Sequence, residues 1–247
     1  MSLPARQSSI VDSLSITRPT VLSFDGPKRA NLVLLIETIL VTTIAILAVK
    51  IINSNSIAKA AWFVVPAILV AAALLPAAIR NEKFAIIGFE RRRMLSSLRA
   101  VFLSCILLFP AALLVLWLLK QCGCQFYLSP VAPAGNHWLT WLFYQFMYVA
   151  IAEELFFRGY IQTRILTLMR MLPAIQAPMC RWMTICISAA VFALAHVIVK
   201  GSMLSALTFL PGLVLAWLFI RTRSLLAPIL FHGLANAFYF AIAAVLT

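Results

Sequence analysis

The sequence predicts an all-α protein, a polytopic bundle of about seven transmembrane helices with the N-terminus inside and the C-terminus outside. Hydrophobic residues make up 64% of the 247 positions and charged residues only 11%, whereas a soluble domain is about half apolar and a quarter charged. Apolar runs of about 20 residues, the length that a helix needs to cross a bilayer, recur along the chain. Lysine and arginine are distributed unevenly between these runs, which predicts the orientation.

The predicted spans follow one another closely, so no separate soluble domain is expected. Residues 1–30 are polar and rich in serine, and we interpret them as a cytoplasmic tail. The region 31–135 holds spans one to three and a basic inner loop, and the region 136–247 holds a four-span core. The predicted spans lie near residues 31–49, 60–79, 98–119, 138–160, 181–199, 203–220 and 224–246.

The basic charge of the chain indicates topology rather than nucleic-acid binding. The net charge is +13, from 20 lysine and arginine residues against seven acidic ones. Nearly all the basic residues fall on the predicted inner segments, and the outer segments hold only Lys50, Lys59, Lys120 and Lys200. This excess is the positive-inside pattern of helical membrane proteins. The same charge attracts an anionic inner leaflet, so the expected partner is the bilayer, and no nucleic-acid partner is expected.

Three of the acidic residues lie within predicted spans, namely Glu37, Glu153 and Glu154. A carboxylate in the bilayer costs several kcal/mol, roughly, unless it is paired, neutral or hydrated. Glu37 lies near the inner end of span one, where a loop arginine can pair with it. Glu154 and Arg158 are four residues apart and can form an ion pair on one helix face. Glu153, rotated by about 100° from Glu154, is left to face another neighbour in the bundle.

Two further spans carry polar side chains at helical spacing. Phe192 precedes His196 by one turn in span five, and His232 precedes Asn236 by one turn in span seven. A single intramembrane histidine or asparagine is more often part of helix packing than of catalysis. Three polar constellations on three spans, with almost no other intramembrane charge, are poorly explained as independent packing accidents. Counting along the spans places His196 nearer the outer face and His232 nearer the inner face. A common site therefore requires tilt, a broken helix, a span four that runs past Arg158, or a shifted boundary in span five.

These motifs, Glu-Glu-x-x-x-Arg at 153–158, Phe-x-x-x-His at 192–196 and His-x-x-x-Asn at 232–236, resemble the three motifs of the CAAX protease and bacteriocin-processing (CPBP) family. The resemblance covers roughly residues 140–246. It implies an intramembrane endopeptidase, related to prenyl-protein endopeptidases and myxosortase-like enzymes. It implies a membrane-associated protein or peptide substrate cleaved near its C-terminal or leader segment. The roles it implies are water activation by Glu153 and His196, oxyanion stabilisation by His232 and Asn236, and a supporting role for Glu154, Arg158 and Phe192.

The chemistry of the residues agrees with this expectation. A glutamate can serve as general base, and an Asn amide or imidazole N–H can donate to a developing oxyanion. Both aspartates, Asp12 and Asp25, lie in the tail, which disfavours a paired-aspartate mechanism. The sequence contains neither a His-Glu-x-x-His zinc motif nor a Gly-x-Ser-x-Gly nucleophile elbow.

Three alternatives remain at this stage. Glu153, His196 and His232 are also a possible zinc ligand set with an open position, although the preferred interpretation needs no cofactor. A proton-coupled transporter uses similar Glu and His relays, but we see no inverted repeat. A non-catalytic membrane scaffold or immunity protein would keep the same fold. The short loops and the charge asymmetry favour a prokaryotic inner membrane.

Overall fold

The computed structural model of the chain describes residues 27–55, 63–80, 91–123, 137–172 and 175–246, and these residues form helices and short connections. The helices are α1 (Pro27–Ser54), α2 (Val64–Ile79), α3 (Arg91–Gln121), α4 (residues 138–170), α5 (Ala177–Lys200), α6 (Phe209–Thr222) and α7 (Leu226–Leu246). A 3₁₀ turn, Met203–Thr208, leads into α6. The all-helical architecture predicted from the sequence is confirmed for the described residues.

Five helical segments in the described residues are long and apolar enough to cross a membrane. They are Arg29–Ser54, Arg93–Gln121, Ala177–Lys200, Met203–Thr222 and Leu226–Ala243. The helix α2 is apolar but has only 16 residues. The helix α4 contains two glutamates and three arginines, Glu153, Glu154, Arg158, Arg164 and Arg170. The seven-span count and the N-in, C-out orientation therefore stay predictions, and the tail over residues 1–26 and most of the basic loop lie outside the described residues.

Helix α4 is irregular, and its irregularities surround the glutamate pair. Two π-helical stretches, Gln145–Ala150 and Leu155–Gln162, flank the short α-helical segment Ile151–Glu154. A π-helical turn holds more residues than an α-helical turn and often occurs at functional sites. The final segment, Thr163–Arg170, extends the helix ten residues beyond the span predicted to end at residue 160.

The described residues form two apolar cores, one of which contains α4. Apolar side chains of α1, α2 and α5 surround one face of α4, with Phe156, Phe157 and Tyr160 at the centre. A second core joins α3 and α6 to the first turns of α7 around Leu218 and Phe231. The outward faces of α1 and α3 expose large apolar side chains, as lipid-facing helices do. The helix α4 is thus anchored in the first core by Phe156, Phe157 and Tyr160.

Glu37 is paired, as expected from the sequence. The Arg80 guanidinium, just after the end of α2, donates two hydrogen bonds to the Glu37 carboxylate on α1. The Tyr160 hydroxyl on α4 lies 3.5 Å from the other Glu37 oxygen. This cluster joins the N-terminal helices to α4 and accounts for a carboxylate in an apolar helix.

The two histidines lie at different distances from the starts of the helices that carry them. His196 lies 19 residues after the start of α5, about 28 Å along the axis, whereas His232 lies six residues into α7, about 9 Å along the axis. The start of α5 packs against Thr163–Arg170 of α4, where Sγ of Cys180 lies 3.5 Å from the carbonyl oxygen of Met169. Both options named from the sequence, a longer span four and a shifted boundary in span five, are realised.

Candidate active site

Helices α4, α5 and α7 bring Glu153, His196 and His232 together. The Nε2 atoms of His196 and His232 each lie 3.9 Å from Oε2 of Glu153. That oxygen is buried and has no hydrogen-bond partner among the described residues. A separation of 3.9 Å is too long for a direct hydrogen bond, but it suits two atoms that share a bridging water. The three side chains therefore form one polar centre within an apolar bundle.

The Nδ1 atom of each histidine is hydrogen-bonded to a group other than Glu153. Nδ1 of His196 lies 3.0 Å from the carbonyl oxygen of Phe192, and Nδ1 of His232 lies 2.8 Å from Oε1 of Glu154. A carbonyl and a carboxylate only accept hydrogen bonds, so each Nδ1 carries a proton and donates. In the neutral imidazole this leaves Nε2 as an unprotonated acceptor. Both Nε2 atoms then face Glu153 with their lone pairs.

Glu154 and Arg158 form the expected ion pair. Nε of Arg158 lies 3.1 Å from Oε2 of Glu154, and both side chains are fully buried. The other carboxylate oxygen of Glu154 accepts the hydrogen bond from His232. Arg158 also donates to the carbonyl of Gly212 on α6, at 3.2 Å. A chain of contacts thus runs from α6 through Arg158 and Glu154 to the ring of His232.

Phe192 connects the aromatic and charged groups of the site. Its ring packs on His196 with a centroid separation of 4.4 Å and meets His232 edge-to-face at 6.1 Å. The Arg158 guanidinium carbon lies 4.6 Å from the centre of the same ring, a distance at which cation–π attraction operates. Its other neighbour is Phe157, also edge-to-face, at 4.9 Å. Phe192 therefore holds both imidazoles and the guanidinium in place.

Asn236 lies one turn beyond His232 on α7, and its contact is with Gln145 rather than with Glu153. Its Nδ2 donates to Oε1 of Gln145, at 2.9 Å. Asn236 has a second N–H, which this bond does not use. The structure thus places Asn236 on the helix that carries His232, with its amide held by a residue that the motifs do not include.

Two further buried polar residues escaped the sequence reasoning. Nε2 of Gln162 donates to the carbonyl of Ala216, at 2.9 Å, and Ser188 Oγ donates to Oε1 of Gln162, at 3.3 Å. Arg158 and Gln162, one turn apart on α4, thus bond to two carbonyls one turn apart on α6. The sequence did contain a signal for these residues, because a polar side chain in an apolar span needs a hydrogen-bond partner just as a glutamate does. That rule applies to Gln145, Gln162 and Ser188.

The arrangement of donor side chains bears on whether the site could hold a metal ion. Among the described residues, no group of three or more histidine, cysteine, aspartate or glutamate side chains is arranged to hold a metal ion. The bond from Nδ1 of His232 to Glu154 leaves Nε2 as the ring nitrogen open to a metal. The zinc alternative, with Glu153, His196 and His232 as ligands, stays a proposal that chelation can test.

The fold and the site define an all-helical integral membrane protein with a buried Glu–His centre. Residues 135–238 match the family model of Rce1-like type II CAAX prenyl endopeptidases. The match confirms, over residues 135–238, the resemblance to the CAAX protease family that the three motifs predicted. Neither the curated proteins nor the solved structures yielded a match.

Proposed function

We propose that the chain is an intramembrane endopeptidase in which Glu153 and His196 activate a water molecule for attack on a peptide bond. The observation that carries this proposal is the convergence of Glu153 Oε2 and both Nε2 atoms at 3.9 Å. With Nδ1–H committed on both rings, each Nε2 is an acceptor 3.9 Å from Oε2 of Glu153, and a bridging water can donate its two protons to Glu153 and one imidazole. A water that donates to Glu153 and His196 is polarised toward hydroxide, which is the task of a general base.

His232 has a different role in this proposal. Its Nδ1–H is fixed by Glu154, which Arg158 in turn holds as a carboxylate. This contact orients the imidazole and stabilises the imidazolium if Nε2 takes a proton. A protonated Nε2 is a donor that can stabilise the oxyanion of the tetrahedral intermediate. The second N–H of Asn236 would be the other donor to that oxygen.

The expected substrate is a membrane-associated protein or peptide cut near its C-terminal or leader segment. Type II CAAX prenyl endopeptidases, the family matched here, are named for prenylated C-terminal tails. The candidate site lies about 9 Å from the start of α7, so a tail anchored near that face reaches it without crossing the bundle. The proposed location is a prokaryotic inner membrane, with the start of α7 on the cytoplasmic side.

The change that tests the mechanism is Glu153→Gln, which keeps the shape of the side chain and removes the proton acceptor. We expect cleavage to fall by about 10²- to 10⁴-fold, the usual contribution of acid–base catalysis, with insertion and folding unchanged. The measurement is the rate of cleavage of a prenylated C-terminal tail peptide and of a hydrophobic leader peptide by purified protein in detergent.

Two controls accompany this measurement. Glu37→Gln makes the same change at an intramembrane glutamate away from the site and should keep the wild-type rate per folded molecule. Chelation should leave the rate unchanged, whereas loss on chelation and recovery on added zinc would establish the zinc alternative. Wild-type cleavage by the Glu153→Gln variant would end the peptidase proposal at this residue.

A further inference from the structure

Gln145 is the nearest polar neighbour of a proposed catalytic group that the family motifs leave out. It is the first residue of the π-helical stretch Gln145–Ala150, eight positions before Glu153. In a regular α-helix that spacing would rotate it by about 80° from Glu153. The wider π-helical turn between them reduces the rotation per residue, which brings Gln145 back toward the face that carries the glutamate. The irregular helix therefore places Gln145 on the face of α4 that packs against α7.

The packing of α4 against α7 is closest at this level. A Cβ atom added to Gly233 would overlap the ring of Phe146, the residue after Gln145. Only a glycine permits this approach, and it lets two short amide side chains meet across the interface. Nδ2 of Asn236 then donates to Oε1 of Gln145 at 2.9 Å, with both residues partly buried.

In this structure the bond holds the Asn236 amide with its NH₂ group toward Oε1 of Gln145. An asparagine amide presents donors on one end and an acceptor on the other, and rotation by 180° exchanges them. An acceptor at Gln145 Oε1 holds the NH₂ group in one orientation and occupies one of its two N–H groups. The remaining N–H is then available as a preset donor, whereas the flipped amide would offer an oxygen to a developing negative charge.

We infer that Gln145 is a positioning residue that holds the Asn236 amide in its donor orientation during peptide-bond cleavage. The inference rests on the proposed function, because it gives the Asn236 N–H the oxyanion as its target. It adds a specific requirement: position 145 must accept a hydrogen bond, and its effect must act through Asn236.

The test uses the purified full-length chain and the two peptides named above. Gln145→Met removes the acceptor and should lower kcat by about 10- to 100-fold, the effect of a misplaced catalytic group, with KM within about twofold. Gln145→Glu keeps an acceptor and should stay within about threefold of wild type, since the required bond survives. Gln121→Met, the same change at an exposed position at the end of α3, is the matched control and should have no effect.

A double-mutant cycle with Asn236→Ala separates positioning from general stability. In the Asn236→Ala background, Gln145→Met should cause no further loss of kcat, because coupled residues are not additive. Additive losses, a wild-type rate for Gln145→Met, or equal damage from Gln145→Glu would overturn the inference while the loss in Glu153→Gln still stood. If Glu153→Gln instead cleaves normally, the proposed function falls, and the positioning inference falls with it. Unfolding midpoints of all variants show whether a loss reflects misfolding.

Discussion

At the scale of single residues, the organising contact is the hydrogen bond from His232 to Glu154. Glu154 accepts from His232 through one oxygen and pairs with Arg158 through the other. Both members of the ion pair are fully buried, so each depends on the other for its charge. The pair therefore contributes to the stability of the protein and, through His232, to the proposed catalysis. Mutation can separate these two contributions.

Replacement of Arg158 by alanine should destabilise the protein as well as inactivate it. The change leaves a buried Glu154 carboxylate without its cation, a loss that typically costs about 3–5 kcal/mol. Chemical unfolding in detergent measures the effect, and Arg181→Ala, at an exposed position of α5, is the matched control.

Removal of both charges distinguishes the two consequences. Glu154→Leu combined with Arg158→Met should recover most of the lost free energy of unfolding, because a buried pair can be replaced by apolar groups at little cost. Cleavage should stay low, since His232 has lost the acceptor of its Nδ1–H. An active double variant would show that the Glu154–His232 bond does not contribute to catalysis.

At the scale of the elements, the feature that distinguishes this bundle is the irregular helix α4. Its two π-helical stretches surround Ile151–Glu154 and direct polar side chains toward both α5 and α7. The interface with α7 depends on the lack of a side chain at Gly233, against which the Phe146 ring packs. By contrast, a Cβ at Gly159 would meet its nearest atoms, in Leu155 and Leu225, at 3.5 Å, an ordinary contact distance.

The two glycines should therefore respond differently to alanine. Gly233→Ala forces α7 away from α4 and should cost about 1–3 kcal/mol, the range for overpacking, together with activity. Gly159→Ala should be tolerated. Unfolding and cleavage of both variants, with Gly233→Ala also made in a Phe146→Ala background, provide the check. Failure of the smaller residue at 146 to restore stability would contradict the steric explanation.

At the scale of the whole molecule, the predicted orientation is open to direct measurement. Because lysine and arginine are concentrated on the predicted inner segments, reporter fusions after residues 90, 130, 175 and 222 should read inside, outside, inside and inside. The fusion at 175 tests whether α4 crosses the membrane despite its charges, since it follows α4 directly. A cytoplasmic signal at 130 would refute the N-in, seven-span arrangement.

The sequence by itself determined the helical class, the membrane environment, the resemblance to the CAAX protease family and the residues that needed partners. It could do so because these depend on composition, local spacing and the cost of placing charge in lipid. Only the tertiary structure decided that α4 continues to Arg170 and that Glu153 lies 3.9 Å from both imidazoles. It also decided that Asn236 bonds to Gln145. Helix ends and π-helical turns are set by close packing between helices, and packing is a property of several segments that no single stretch of sequence encodes.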